Sequence, residues 1–218
     1  MGIKNKISEE YTYFLTMTVI DWVDIFTRPI YKQIIVNSLE YCQLHKGLII
    51  NAWCLMTNHL HLVAKASEGF HLSDILRDFK KFTSKEIVLQ VDNEFESRRN
   101  WLLNRFEYAG KNDKKIKDFK FWQEGNEPKE IHTVEFLKQK VDYIHNNPVK
   151  AEIVASPEFY KYSSAIDYAG GIGLLKLEKI WKNGLQILII ISFGLQIRKS
   201  FEVAVRDLQS RTIYYKHL

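Results

Sequence analysis

The chain has 218 residues, which is long enough for one domain with a sizeable core. Hydrophobic residues make up 46% and charged residues 26%, as is typical of a globular protein, and a net charge of +5 permits nucleic acid as a partner without requiring it. Two cysteines without C-x-x-C spacing exclude a disulfide framework. Because no apolar run reaches the ~18–20 residues of a membrane span, we expect a cytoplasmic protein with no membrane partner.

Strand and helix patterns alternate in the first part of the chain. The aromatic and β-branched residues 11–20 predict a strand. Pro29 and the apolar positions that follow at helical spacing predict a helix, which Gly47 ends. Residues 48–55 and 59–64 predict two further strands, and the short polar turn between them predicts an antiparallel hairpin.

The second part of the chain adds helices and one short strand. Residues 73–89 predict a helix with Ser73 as its N-cap, and the polar residues 92–120 predict a loop or a short helix. Residues 119–123 predict a short strand, and Thr133 caps a last helix that Pro148 is expected to end. This order predicts an α+β fold in which helices cover one face of an antiparallel sheet.

The motif His59-Leu60-His61 lies within a predicted strand. Side chains alternate along a strand, so both imidazoles project to one side and Leu60 to the other. Two neutral imidazoles side by side form half of a metal site. The same pattern also fits two unrelated polar residues on the open face of a sheet.

A second motif, residues 143–148, ends the last predicted helix. Tyr143 and Asn147 are four residues apart, so a helix places them on one face. A phenol and an amide in this arrangement could present a nucleophile together with a metal ligand. The alternative is a tyrosine that packs on the sheet and an asparagine that ends the helix.

Four cations follow one another on the helix predicted over residues 73–89: Arg77, Lys80, Lys81 and Lys85. Three of them are spaced i, i+4 and i+8, so they form a basic ridge opposite the apolar side of the helix. Such a ridge suits a phosphate backbone, although most charged helix faces are simply solvated.

Five segments, in order along the chain, resemble the REP-associated tyrosine transposases, a branch of the single-tyrosine HUH (His-hydrophobe-His) transposases. The two most specific segments are residues 51–63, which contain the His pair, and residues 141–151, which contain Tyr143 and Asn147. The other three are residues 77–85, 121–123 and 157–165. Together the resemblance covers roughly residues 11–175.

The resemblance implies a ferredoxin-like sheet with the His pair on a central strand. It implies that Tyr143 is the catalytic nucleophile, and that His59, His61 and Asn147 are ligands of a divalent metal ion, Mg²⁺ or Mn²⁺. The expected reaction is nicking and joining of single-stranded or hairpin DNA through a 5′-phosphotyrosine intermediate. No nucleotide cofactor is expected, since rejoining needs no ATP, and the protein would work as a monomer or a homodimer.

Two further expectations concern Trp122 and the end of the chain. Trp122 could stack on unpaired DNA bases, or it could belong to the core. The resemblance assigns residues 1–178 to a catalytic domain. Residues 179–218, which include the apolar run 187–191, match nothing in the family and are expected to be an accessory segment or read-through past the end of the gene.

Two other functions compete with the transposase interpretation. One is a hairpin-DNA-binding protein that has lost catalysis, although a pure binder has no need of Tyr143 and the His pair. The other is a metal-dependent nuclease that uses water as its nucleophile. The absence of an Asp or Glu beside the His pair in the sequence argues against that nuclease.

Overall fold

The computed structural model describes residue 7 and residues 11–93, 95–111 and 118–179. The predicted C-terminal tail, with its apolar run 187–191, therefore lies outside the described residues apart from Lys179. No helix in the described part of the chain is both long and apolar enough to cross a membrane.

The strands and helices follow the order of a ferredoxin-like fold. The strands are β1 (Thr12–Thr18), β2 (Leu48–Leu55), β3 (His59–Ala66) and β4 (Lys129–Ile131). The helices are α1 (Pro29–His45), α2 (Leu72–Asn93), α3 (Arg99–Lys111), α4 (Val134–Lys150) and the short α5 (Ala165–Tyr168). Turns of 3₁₀ helix cover Ile20–Trp22, Ile25–Thr27 and Pro157–Phe159.

The four strands form one antiparallel sheet in the order β2-β3-β1-β4. The predicted α+β class and ferredoxin-like sheet are confirmed, and the His pair lies on a central strand. The predicted hairpin is also confirmed, because the Met56 N–H donates to the His59 carbonyl at 2.8 Å across the tight turn between β2 and β3.

One face of the sheet, which we call the core face, packs against α1 and α2. Its side chains alternate along the strands as a half-buried sheet requires, with Leu15 and Met17 on β1 and Leu60 and Leu62 on β3 all buried. A β-bulge at Asn51 shifts the alternation in β2, so that Ile50, Trp53 and Leu55 share this face. Without the bulge, the large Trp53 side chain would point away from the main core.

The opposite face, which we call the histidine face, carries Phe14, Thr16, His59 and His61. Helix α4 contacts the sheet through β2, β3 and β4, and its Tyr143 ring contacts Phe14 and His61. The helices α1 and α2 cover the core face, as predicted for one face of the sheet, whereas α4 lies on the histidine face. This arrangement brings the two conspicuous sequence motifs together.

Three local predictions were wrong. Residues 119–123 do not form a strand but make only an isolated bridge between Val19 and Trp122. The apolar side chains of Phe121 and Trp122 are there because they are buried in the core. The fourth strand, β4, begins later, at Lys129. Helix α2 begins at Leu72, so Ser73 lies in its first turn. Pro148 lies inside α4, two residues from its end. The predicted Thr133 cap is confirmed, since its hydroxyl accepts from the Phe136 N–H at 3.1 Å.

Candidate active site

The two imidazoles of the H-x-H motif lie side by side on β3. Their ring centroids are 4.6 Å apart and their planes are nearly perpendicular, at 75°. His61 is buried and His59 is half-buried, so the pair forms the floor of a site at the histidine face. The expected placement of both side chains on one side of a central strand is confirmed.

The His61 ring is held in one orientation by its neighbours on β1. Its Nδ1 is 3.0 Å from the Thr16 hydroxyl, and the Phe14 ring stacks on it with centroids 5.4 Å apart. The other ring nitrogen, Nε2, is buried and has no hydrogen-bond partner. Buried polar atoms are rarely left unsatisfied, and an imidazole fixed through one nitrogen typically presents the other to a metal ion.

The surroundings of His59 and His61 favour their neutral forms. His59 Nδ1 is 2.6 Å from the side-chain oxygen of Asn58 in the hairpin turn. Burial lowers the pKa of His59 to about 4. Burial, with a smaller effect of the neighbouring His59, lowers the pKa of His61 to about 3. Both rings are therefore uncharged at neutral pH, which is the form that binds metal.

Tyr143 on α4 faces this pair. Its ring centroid is 5.5 Å from that of His61 and 6.0 Å from that of Phe14, both in edge-to-face geometry. The side chain is 43% exposed, whereas His61 is 4% exposed. A tyrosine that is accessible to solvent thus borders a buried imidazole whose Nε2 lacks a partner.

Asn147 lies one helical turn after Tyr143 and is half-buried. The helix remains regular here despite Pro148, because the Ala151 N–H donates to the Asn147 carbonyl at 3.0 Å. The described residues contain no cluster of three or more His, Cys, Asp or Glu side chains that could hold a metal ion. The neutral His pair, with the unpartnered Nε2 of His61, fits a divalent ion, and Asn147 offers a further uncharged donor on the helix whose Tyr143 contacts that pair.

Two lysines of α4 that were not singled out in the sequence also border Tyr143. Lys140 Nζ lies 5.9 Å from the Tyr143 ring centroid and 5.2 Å from that of Phe14, and Lys150 Nζ lies 5.6 Å from the Tyr143 ring. Burial and the nearby Lys129 lower the pKa of Lys140. The signal was present in the sequence, since positions three before and seven after Tyr143 share its helix face.

The basic ridge predicted on α2 is divided in the structure. Arg77 donates to Asp74 at 2.6 Å and to Asp78 at 3.1 Å, so its charge is compensated by two carboxylates. Lys80 donates to the Gln123 and Gly125 carbonyls and to the Asn126 side chain, at 2.9, 2.6 and 3.0 Å. These bonds anchor the irregular segment before β4, so Lys80 has a structural role here.

Lys81 and Lys85 are exposed, as a DNA-contacting ridge requires. However, α2 packs on the core face, and the His pair lies on the histidine face. The structure therefore does not bring the ridge to the candidate site. A contact between this ridge and DNA would have to involve a part of the strand away from the His pair.

Trp122 belongs to the core. It is 5% exposed, its Nε1 donates to the Thr83 hydroxyl at 3.0 Å, and its ring contacts Phe26, Phe79 and Phe121. This placement agrees with the core alternative. It leaves no free ring face for stacking on a base, so the DNA-stacking expectation is corrected.

Comparison with known proteins identifies the family. Residues 8–147, more than half of the chain, match the model of the IS200-like transposases. The chain belongs to the IS200-like transposase family. The match includes β1, the His pair, Tyr143 and Asn147, and family membership makes this a transposase-like protein that processes DNA. A search of curated proteins found no match.

Two solved structures are similar to this transposase-family chain. The first is a REP-associated tyrosine transposase bound to a REP hairpin, with 17% sequence identity, a TM-score of 0.57, and coverage of 84% of this chain and 95% of the other. It supports the fold. The second, a protein from Deinococcus radiodurans assigned as a transposase, has 14% identity, a TM-score of 0.40, and coverage of 66% of this chain and 97% of the other.

Proposed function

We propose that this protein is a metal-dependent endonuclease and strand transferase that acts on single-stranded or hairpin DNA, with Tyr143 as its nucleophile. The observation that carries the proposal is the juxtaposition on the histidine face. Tyr143, an exposed phenol, lies 5.5 Å ring-to-ring from His61, whose buried Nε2 lacks a partner. We assign this activity to residues 1–178 and leave residues 179–218 outside the catalytic domain.

In the proposed reaction, the Tyr143 hydroxyl oxygen attacks a phosphodiester phosphorus. A bond forms between that oxygen and phosphorus as the bond to the 3′-oxygen breaks, the phenol loses its proton, and the leaving oxygen gains one to become a 3′-hydroxyl. The DNA stays attached through a 5′-phosphotyrosine. A 3′-hydroxyl can later attack this linkage and release Tyr143, so joining needs no nucleotide cofactor.

The residues around Tyr143 have distinct roles in this proposal. Thr16 and Phe14 orient His61, and Asn58 orients His59, so that the pair and Asn147 can hold a divalent ion, Mg²⁺ or Mn²⁺. When bound, the ion would supply Lewis-acid polarisation of the scissile phosphate. Lys140 and Lys150 add positive charge beside the phenol, where both the phosphate and the developing phenolate are anionic.

The geometry also supports a site that one chain completes by itself, since Tyr143 contacts His61 of the same chain. A monomer therefore suffices for one cleavage in this proposal, and a homodimer would carry two complete sites. An unpaired strand is the proposed substrate because the scissile phosphate must enter the space between α4 and the sheet. The similar protein whose structure contains a REP hairpin gives a precedent for hairpin DNA.

The proposal is tested by incubating the protein with labelled hairpin oligonucleotides from the flanks of its gene, with Mn²⁺ or Mg²⁺, followed by denaturing electrophoresis. We expect a metal-dependent covalent DNA adduct that disappears in Tyr143→Phe. The matched control is Tyr41→Phe, which removes the hydroxyl of another exposed tyrosine, on α1, and should keep the adduct.

The alternatives give different results in the same assay. Cleavage that survives Tyr143→Phe without an adduct would support a nuclease that uses water. Hairpin binding without cleavage at any metal concentration would support a DNA-binding protein that has lost catalysis. Either result would refute the nucleophilic role of Tyr143.

A further inference from the structure

Trp22 is an exposed aromatic side chain at the edge of the candidate site. It lies four residues after the end of β1, in the 3₁₀ turn Ile20–Trp22, and is 61% exposed. Its ring centroid is 6.2 Å from that of His59, at an interplanar angle of 73°. By contrast, Trp53 and Trp122 are buried in the core. Burial of apolar surface therefore does not account for the placement of Trp22.

The backbone beneath Trp22 is in an unfavourable conformation. Asp21 and Trp22 have φ values of 51° and 56°, in the left-handed region that residues with a Cβ rarely adopt. Asp21 belongs to a residue type that tolerates this region, but Trp22 has a bulky side chain for which it is unfavourable. Strain of this kind persists only where surrounding contacts impose it, and it is concentrated at functional sites.

The contacts that impose it come from the His59 hairpin. The Asn58 side-chain amide donates to the Trp22 carbonyl at 3.2 Å, and the Val19 N–H donates to the Asn58 carbonyl at 2.9 Å. The Asn58 side-chain oxygen is in turn 2.6 Å from His59 Nδ1. Asn58 thus fixes both the orientation of His59 and the position of Trp22, so the two side chains keep a constant position relative to each other.

The charge around Trp22 is compatible with an anionic strand. The carboxylate next to it, Asp21, is 3.7 Å from Arg105 Nη1, which offsets a charge that would repel phosphate. A flat, uncharged and exposed indole beside a phosphate-binding site suits an unpaired nucleobase, because every base has a π-face for stacking. A base within a duplex is already stacked on its neighbours, so it could not use this surface.

We propose that Trp22 stacks on an unpaired base next to the phosphate held at the His pair. The inference rests on the proposed function and deepens it, because it names the surface that would distinguish single-stranded from double-stranded DNA. The ligand is a nucleobase of single-stranded DNA of any sequence. The proposed surface borders His59, whereas Tyr143 borders His61.

Binding is measured by fluorescence anisotropy of a labelled single-stranded oligonucleotide, in a Tyr143→Phe background that prevents cleavage. We expect Trp22→Asn to weaken binding about five- to 150-fold, the range for loss of one stacked base. Asn tolerates positive φ better than most residues, so this variant keeps the turn. Trp22→Phe should restore part of the affinity, and the same oligonucleotide annealed to its complement should show little effect.

Tyr41→Leu is the matched control. Tyr41 is 55% exposed on α1, which packs on the core face of the sheet. Its loss should leave single-strand binding unchanged. The inference would be overturned if Trp22→Asn bound as tightly as its parent, if the duplex lost as much affinity as the single strand, or if Tyr41→Leu lost as much as Trp22→Asn. Undetectable binding by the parent would also overturn it.

An oligonucleotide series with one abasic site at successive positions locates the stacked base. We expect one position at which base removal weakens the parent but not Trp22→Asn; a series without such a position would overturn the inference. Adduct formation by the chain with Tyr143 intact reports separately on the proposed function. If the protein forms an adduct but binds DNA equally well without Trp22, only the stacking proposal is refuted. If binding depends on Trp22 but no adduct forms, only the nucleophilic role of Tyr143 is refuted.

Discussion

The hydrogen bond between Thr16 and His61 offers a test of the metal site that leaves every proposed ligand in place. Thr16 Oγ1 is 3.0 Å from His61 Nδ1, and this contact leaves Nε2 as the nitrogen available to a metal ion. Thr16→Val removes the hydroxyl but keeps the shape and the strand preference of the side chain. The imidazole then loses its side-chain hydrogen-bond partner, while the contacts with Phe14 and the Leu15 backbone remain.

The magnitude follows from the burial of the ring. His61 is 4% exposed, so water cannot replace the missing hydroxyl, and an unsatisfied buried donor costs about 1–3 kcal/mol. Expressed as metal affinity, this corresponds to about five- to 150-fold. Loss of a residue that orients a metal-ligating imidazole typically costs about 10- to 100-fold, so the two estimates agree.

The assay is adduct formation titrated with Mn²⁺. We expect the half-maximal Mn²⁺ concentration to rise by about 10- to 100-fold in Thr16→Val, with most of the rate recovered at saturating metal. Thr12→Val is the matched control, since Thr12 lies on the same strand and the same face but pairs with Ile131 on β4. It should leave the metal dependence unchanged.

Two results would refute the reasoning. An unchanged Mn²⁺ midpoint in Thr16→Val would mean that His61 does not bind the metal in the orientation described. A loss of rate that saturating Mn²⁺ cannot recover, in a variant that unfolds at the same denaturant concentration as its parent, would mean that Thr16 acts on the reaction by another route.

Three further predictions follow from the same structure. Lys140→Gln should slow adduct formation at least about tenfold with little change in folding, as gel quantification against time would show. Lys80→Met should lower the free energy of unfolding by about 2 kcal/mol or more in urea titrations, because three acceptors lose their donor, whereas a DNA-contact role would instead lower DNA affinity alone. Burial lowers the pKa of His145 from 6.5 to about 4, so as pH falls the unfolded chain binds a proton at this residue at a higher pH than the folded chain does. Its contribution to stability is therefore lost as pH falls from about 6.5 to 4, by about 3 kcal/mol, and His145→Gln should reduce that pH dependence.

The sequence predicted the parts of the fold that regular alternation and tight turns specify. The strand predicted over residues 48–55 has the observed bounds, and the fixed alternation of β3 placed both imidazoles on one side. Strand β4 was missed because it is only three residues long and polar, whereas the apolar pair Phe121 and Trp122 suggested a strand nearby. Burial, and not pairing, explains those two aromatics.

The candidate site was predicted in part. Spacing made Tyr143, His59 and His61 candidates, and the resemblance to the transposases gave them their expected roles. The orientation of His61 depends on Thr16, which is far from it in sequence and adjacent only through strand pairing. Trp22 carries no local signal, because a left-handed turn without Gly or Asn arises from tertiary contacts. Lys140 could have been found from the sequence, since it lies three residues before Tyr143 and therefore on the same face of the helix.

The position of Tyr143 over the sheet depends on how α4 is held, and a polar link on the other side of the helix does this. His145 Nε2 is 2.7 Å from the Ser164 hydroxyl, which accepts from the Trp53 N–H at 2.9 Å, so α4 is tied to β2 through buried groups. An apolar helix face alone could slide along the sheet at little cost, whereas these bonds are satisfied in only one register. Since Tyr143 and His145 are two residues apart, that register also sets the distance from the phenol to His61. The buried imidazole that makes stability depend on pH is therefore also the group that aligns Tyr143 with the His pair.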